Sequence, residues 1–563
     1  MLNKKCRFYS FDVFDTCLAR TCGTPSNFFD ILSTRVFTKA VPENVRLAFI
    51  VARQEAEDKS TKSNIYNIYD SFSFNHPDIL PNNEILNNEL QLEREVIVPI
   101  LETKQKIDRL RDRENRIIFI SDMYLPPEFI QERLEAFDIF KKGDKLYVSG
   151  EIGHNKYGLE LYKYIHIDEK IPYNKWHHTG DNYICDYKRP KKLGIKTSHV
   201  EHDYSFFQLS WKNTSGNSTY KTADIVAGIS RAFNISLPDH PRKLLITDVV
   251  APLYCSFICH IFEEASMRGI KKLFFCARDT YQLFQTAKVI TKRYPNIEIS
   301  YLRVSRRALL EENTPNILGY FEQEGLASKD YNAAIVDTGS NGRTHYLINK
   351  ILTDNGYNPV FGYFIKKNSI SEHPVNYQLL DSCLNRRYIQ YDRKYNNLFK
   401  KHSLDLILED IFSTNTDKKT IGYHREKDKY IPLYLDVMDD ENTIQKDHYN
   451  LQTYTTDLLQ RYAKIFINFG LYRYANYILY QIAIPTLISF INKPTKEYTR
   501  SLLTCKQLLY GECLPIVKKE SFFRLIRTKG RDTTWNRATL YYSLPNWMAP
   551  LLDRIIEKRE KKM

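Results

Sequence analysis

Short apolar runs that end in polar residues, with helical text between them, constrain this chain most. "CRFYSF", "NRIIFIS", "KLYVS" and "KWHHTG" are four such runs in the first 205 residues, and "PPEFIQERLEAF" is typical of what separates them. Runs this short and apolar read as strands buried on both faces, and their alternation with helices predicts a parallel α/β sheet. The charge-rich helical stretch of about 22–105 interrupts the alternation and reads as a helical cap on a domain spanning 1–205. The polar segment "SWKNTSGNSTYKTADI" reads as a linker, placed at 206–240. A second alternation, through "KKLFFCARD", "IEISYLRVSRRAL", "AAIVDTGSNGRT" and "VFGYFI", predicts another parallel α/β domain over 241–400. Residues 401–563 read as mostly helical. A chain of 563 residues is too long for one core, in keeping with several domains.

A net charge of +14 favours anionic partners: phosphates, nucleic acid or an acidic membrane surface. The charge is diffuse apart from "EKREKKM", and no arginine-rich arm or Cys/His finger is present, which argues against nucleic acid. Ten cysteines without CxxC pairs, and no signal peptide at the N-terminus, point to reduced thiols in a cytoplasmic protein. The most apolar window, "YILYQIAIPTLISFI", carries Gln481 and Pro485 and reads as too short to cross a bilayer. The tail "WMAPLLDRIIEKREKKM" has apolar residues at helical spacing. It packs on a core or lies on an anionic membrane surface, which makes peripheral association with the inner membrane an expectation of the charge pattern.

Open α/β sheets bind ligands at the carboxyl ends of their strands. Those ends carry Asp12 and Asp15, then Ser121 and Asp122, then Lys156 in "GEIGHNKYG", then Asp181 and Asp186 in "HTGDNYICD". A carboxylate there can attack phosphorus and split a hydrolysis into two easier steps. Three acids can hold Mg²⁺, a hard cation that prefers oxygen, while a hydroxyl and an ammonium hold the phosphoryl oxygens. Taken alone, "FDVFDT" is equally a strand with an Asp helix cap, and Lys156 a loop lysine in solvent. The conjunction of four pieces in one order is what argues for a site.

That order and spacing resemble the haloacid dehalogenase-like (HAD) superfamily of hydrolases over about residues 5–200. The resemblance implies a Rossmann-like domain with a helical cap, Asp12 as nucleophile, Ser121 and Lys156 as phosphate holders, and Mg²⁺ held by Asp12 and Asp181, with Asp186 as a ligand or its orienter. Phosphatases of the superfamily place an acid/base Asp two residues after the nucleophile. Here that position is Phe14, and Asp15 stands in the usual glycine slot. Asp15 does that job from one position later or leaves it to water. An aromatic at this position also occurs in the superfamily's dehalogenases, but they need neither Asp15 nor the late acids, so a metal and a phosphate are expected.

The second alternation contains "NAAIVDTGSNGRTHYLINKIL", a strand, a turn of small residues and a helix. Ser340, Asn341, Gly342 and Thr344 offer N–H groups and hydroxyls at a helix start, a setting that suits phosphate. Asp337 ends the strand and could accept hydrogen bonds from sugar hydroxyls. A Gly/Ser turn also occurs in doubly wound folds without any ligand, and the arginines have a plain reading as surface groups. The order of Arg278, the Arg306/Arg307 pair and this loop is similar to type I phosphoribosyltransferases. That likeness implies 5-phosphoribosyl diphosphate as a ligand, its 5-phosphate in the loop and its pyrophosphate near the arginines. One acid stands where two are usual. HAD proteins of this multi-domain kind resemble hydrolases of bacterial surface-polysaccharide loci, which implies a phosphorylated sugar or glycan substrate. The combined expectation is a phosphoribose transfer followed by removal of its 5-phosphate. The alternative is a HAD phosphatase with a non-catalytic module that binds a sugar phosphate or regulates.

Overall fold

The computed structural model describes residues 8–59, 64–113, 115–201, 204–214, 222–310, 314–330, 332–340, 343–367, 380–382, 412–413, 417–435, 442–502, 506–509, 512–515, 519, 536–545 and 548–560. The chain forms two compact units, Met1–Asp239 and His240–Met563.

The first unit is built on a five-stranded parallel sheet: β1 (Phe8–Asp12), β2 (Arg116–Ser121), β3 (Lys145–Val148), β4 (Trp176–Gly180) and β5 (Lys196–His199), in the order β3-β2-β1-β4-β5. The central strands are apolar on both faces because helices cover both: Phe11, Ile118, Phe119 and Ile120 are fully buried. Register pairs Asp12 with Ile120 and Phe11 with Thr179, so Asp12, Ser121 and Gly180 reach the same carboxyl edge. Between β1 and β2 lies the expected helical block: α1 (Pro25–Ser33), α2 (Glu43–Lys59), α3 (Ile65–Ser71) and α4 (Asn82–Val96). It is tied at its base by an antiparallel ribbon of Leu18–Arg20 with Ile97–Pro99.

Two buried ion pairs hold this block. Arg53 of α2 meets Glu89 of α4 at 2.8 Å with both side chains fully buried, and Arg20 meets Glu93, one turn further along, at 2.8 Å. Removing one partner of such a pair strands a buried charge. The stretch read as a linker carries two helices, Phe206–Thr214 and Thr222–Ser236, while residues 215–221 lie outside the described residues. The second is buried along "ADIVAGI" because its small and apolar residues recur at helical spacing. A Cβ on Gly228 would collide with the backbone of Gly23, so this helix packs where only glycine fits.

The second unit also has a parallel sheet: β6 (Ile270–Cys276), β7 (Glu298–Leu302), β8 (Asn332–Ser340), β9 (Phe361–Lys367) and β10 (Leu380–Ser382), in the order β10-β9-β8-β6-β7. Among the described residues the chain is therefore α/β as far as Ser382, with a mostly helical remainder. That remainder belongs to the same compact unit. The helix Asn442–Asn468 docks on Tyr281–Ile290, with the Thr456 hydroxyl donating to Gln282 at 3.0 Å and the Gln460 amide to the Gln285 carbonyl at 3.2 Å. Two helices, Lys243–Met267 and Leu471–Asn492, are long and apolar enough to cross a membrane. Their most apolar windows are 94% and 61% buried inside the protein, as core helices are. The window read from sequence as about 15 residues is thus part of a 22-residue helix, because Pro485 falls at the first turn of its last segment and does not break it.

Candidate active site

Asp12 is the last residue of β1, 6% exposed, with Ser10, Phe11 and Val13 around it fully buried. Its carboxylate accepts from the Lys156 ammonium at 2.5 Å. Lys156 arrives from the loop after β3 and is 3% exposed. Its backbone N–H donates to Asp122 at 3.0 Å, which fixes the loop over the edge of the sheet. The same ammonium donates to Asp186 at 2.8 Å. Asp12, Asp181 and Asp186 bring one carboxylate oxygen each to within 4.8 Å of one another. Thr16 donates to Asp181 at 3.3 Å, and Ser121 ends β2 beside Asp12, 1% exposed.

Asp186 reaches the cluster through local geometry that spacing alone does not show. After β4 the chain makes a wide, π-type turn at Tyr183–Lys188. The Asn182 side chain accepts from the Ile184 and Cys185 N–H groups, and the Asn182 N–H donates back to Asp186 at 3.1 Å. The Asp186 side chain then lies against Gly180, where a Cβ would overlap it. The Gly180-Asp181 pair is thus a steric requirement of the carboxylate five residues on.

A buried relay stands behind Asp186. His178 Nε2 lies 3.1 Å from its carboxylate, His178 Nδ1 bonds Ser10 at 2.7 Å, and Trp176 Nε1 donates to Ser10 at 2.7 Å. Burial lowers the pKa of His178 and keeps it neutral, so it orients Asp186 and does not neutralise it. His178 and Tyr162, whose hydroxyl donates to the Cys185 carbonyl at 3.0 Å, were invisible as site residues in the sequence. Their only signal there was a polar residue inside a strand or an apolar helix face.

The electrostatics follow from three acids sharing one lysine. Burial, with Asp186 and Asp181 nearby, pushes the Asp12 carboxyl well above its usual range despite Lys156. Burial, then Asp15 and Asp186, raises Asp181 as well. Asp186 is pulled down instead, because Lys156 and His178 outweigh its burial. Burial opposes the Lys156 charge, yet Asp12 and Asp186 hold its pKa well above normal. The donor set is all hard oxygen with an excess of negative charge, which fits Mg²⁺. Asp12, Asp181 and Asp186 would hold it.

Asp15 lies outside this cluster. Its φ of 55° is left-handed, which is why a glycine is at home in such a slot and why an Asp is tolerated there. Its carboxylate faces Arg231 at 3.7 Å. Phe14 points elsewhere: the Arg20 guanidinium sits 4.5 Å above its ring, and Arg20 is bound through three hydrogen bonds to Glu93. Phe14 thereby supports one wall of a cavity of about 400 Å³, lined by Arg20, Phe28, Phe29, Glu93, Asp122 and Tyr124 between the cap helices and the edge of the sheet.

In the second unit, Arg278 follows β6, Arg306 and Arg307 open the short helix after β7, and Asp337 lies near the end of β8. All four reach the carboxyl edge of one sheet. The three arginines are exposed, and Asp337 is 7% exposed. Burial raises Asp279, with Arg278 and Arg306 opposing, so both arginines lie within reach of this acid. Ser340 ends β8, paired with Lys367, and Thr344 is in the first turn of the helix Arg343–Asp354. Asn341 and Gly342 lie outside the described residues, so the loop that would cradle a phosphate is not placed.

No family model matches the chain, and no curated protein does. Among solved structures, the chain is similar to a HAD phosphatase from Thermococcus onnurineus (14% identity, TM-score 0.27, 36% of this chain and 89% of that one). It is also similar to a HAD-hydrolase from Bacillus subtilis bound to magnesium (15% identity, TM-score 0.26, 36% and 91%). A third is a HAD family enzyme from Bacteroides thetaiotaomicron in complex with magnesium and inorganic phosphate (14% identity, TM-score 0.26, 36% and 98%). At these identities and scores, the roles of individual residues rest on the geometry alone.

Proposed function

We propose that the first unit is a Mg²⁺-dependent phosphohydrolase. The observation that carries this reading is the cluster of buried Asp12, Asp186 and Lys156 with half-buried Asp181, in which Lys156 bridges two of the acids. The Asp12 carboxylate forms a bond to phosphorus while the bond to the ester oxygen breaks, leaving an aspartyl-phosphate. Lys156 and Ser121 hold the remaining phosphoryl oxygens, and Lys156 offsets charge as it builds on them. Bound Mg²⁺ supplies the further positive charge that lets three carboxylates and a phosphate share one pocket. The departing oxygen takes its proton from Asp15, the remaining acid of the first turn, or from water, and water then attacks phosphorus to free Asp12 and release phosphate. A phosphate-release screen on sugar phosphates with Mg²⁺, comparing wild type with Asp12→Asn, tests this. Release that survives Asp12→Asn would sink it.

The second unit is proposed to bind 5-phosphoribosyl diphosphate at the edge formed by Arg278, Arg306, Arg307 and Asp337, with Ser340 to Thr344 taking the 5-phosphate. Arg278 and Arg306 gathered near Asp279 on a sheet's ligand-binding edge support this reading. Together the units would transfer phosphoribose to a glycan acceptor and remove its 5-phosphate, in the cytoplasm or against the inner membrane surface. Pyrophosphate released from that donor marks transfer. Donor binding without pyrophosphate marks a sugar-phosphate-binding or regulatory module instead.

A further inference from the structure

Several arginines on other faces of the first unit take carboxylate partners, as Arg35 does Glu95 (2.6 Å), Arg111 Asp144 (2.6 Å) and Arg116 Glu169 (2.5 Å). The segment that follows the cluster's last acid behaves differently. Lys188 lies 4.8 Å from the Tyr183 ring, Arg189 4.1 Å from that of Tyr157, and Lys191 3.6 Å from that of Tyr187. Among the described residues, none of these three cations has a carboxylate within ion-pair distance. A ring holds a cation in place without neutralising it, so each keeps its charge for something else.

These groups flank the catalytic cluster in the chain. Tyr157 follows Lys156, Tyr183 lies between Asp181 and Asp186, and Arg189 acts on the same Cys185 thiol as Asp186 and Lys156 do. The platform is also rigid. Asn182 pins the loop through two N–H groups, and Tyr183 stacks on Tyr187 at 5.3 Å and 16°. Yet Tyr157 and Tyr183 remain 57% and 49% exposed. Half-exposed rings beside fixed, unneutralised cations match a ligand that is itself a ring carrying an anion.

We propose that Lys188, Arg189 and Lys191, with the rings of Tyr157 and Tyr183, form a second anion subsite for a sugar-like ring bearing a phosphate besides the one hydrolysed. The substrate class is then a bisphosphorylated or diphosphate-bearing sugar. An anionic membrane is the weaker match, because the cations are held on rings and Ile184 is the one aliphatic side chain exposed on this loop. The inference rests on the phosphohydrolase reading for its location and deepens it.

The test pairs fructose 6-phosphate with fructose 1,6-bisphosphate, which differ by one phosphate. Wild type is expected to prefer the bisphosphate by about tenfold or more in kcat/KM, carried by KM. In the Lys188→Ala/Arg189→Ala/Lys191→Ala variant that preference falls to near unity, with each protein's monophosphate turnover as its own reference. A preference absent from wild type, or one that survives the triple change, overturns the subsite. Phosphatidylglycerol vesicles that bind wild type but not the variant, with the preference unaltered, overturn it in favour of a lipid surface. Calorimetric titration of Asp12→Asn with the same two ligands separates the readings. If no protein releases phosphate but the bisphosphate still binds more tightly and the triple change abolishes this, the hydrolase reading fails and the subsite stands.

Discussion

The carboxyl edges of the two sheets carry charge in contrasting ways. On the first, Asp12, Lys156 and Asp186 are nearly or fully buried and bonded to one another. On the second, Arg278, Arg306 and Arg307 are exposed, on an edge that also carries the buried Asp337. Withdrawing an ion from water costs several kcal/mol even after relaxation, and apolar residues of similar size would often be no worse for stability. A cluster that keeps two buried acids, a half-buried third and one buried lysine at a strand edge is therefore better explained by chemistry than by folding. Exposed arginines cost little, so their position alone says less. The first edge carries its own argument, and the second needs a ligand to complete one.

The sharpest way to break this contrast is Asp12→Asn, expected to lower phosphate release by roughly a thousandfold or more while the fold persists. Asp15→Asn should cost about a hundredfold on poor leaving groups and far less on acetyl phosphate, whose leaving group needs no proton. Equal losses on both would assign the proton to water or to another group. Gly180→Ala drives a Cβ into Asp186 and should weaken Mg²⁺ activation by about ten- to a hundredfold, read as a shifted Mg²⁺ titration.

A fourth expectation concerns pH. Asp12 and Asp181 have raised pKa values in the folded protein, so between about pH 4 and those raised values the folded state holds protons that the unfolded chain has lost. Metal-free stability contributed by these two groups therefore falls as pH rises through that window. Mg²⁺ displaces the protons, so its affinity should rise by up to about tenfold per pH unit for each carboxyl that titrates, and its gain in Tm should be larger at pH 8 than at pH 5. Asp186, with its lowered pKa, works the other way, and its contribution is lost as pH falls below about 4. A Mg²⁺ effect independent of pH would contradict the charge balance described for the cluster. The smallest effect is expected at the second edge, where 5-phosphoribosyl diphosphate should raise Tm by a few degrees and Asp337→Ala or Arg278→Ala should abolish the rise. Unchanged protection in both variants would move the ligand elsewhere.

Much of the first site was legible because its pieces are local. Each strand is a short apolar run, and each functional group sits within a few residues of a run's end. Less was legible where distant segments combine. His178 reads as one more polar residue in a strand until Ser10, 168 positions away, is seen to hold its other nitrogen. Phe14 reads as an intruder in the acid/base position until Arg20 is seen over its ring and Glu93 behind Arg20. The stretch 206–240 reads as a linker by composition, but "ADIVAGI" is buried against a glycine turn near residue 23.

What the sequence by itself determined is the order of strands and helices, and with it the residues delivered to the sheet edges, because periodicity and strand length act over ten residues or fewer. Tertiary structure alone decided which of those residues meet. Lys156 bonds Asp12 across 144 positions, and Asp186 turns back onto it only because Gly180 leaves room. It also decided that Lys188, Arg189 and Lys191 rest on rings and not on carboxylates, since a cation's partner depends on what packing brings beside it.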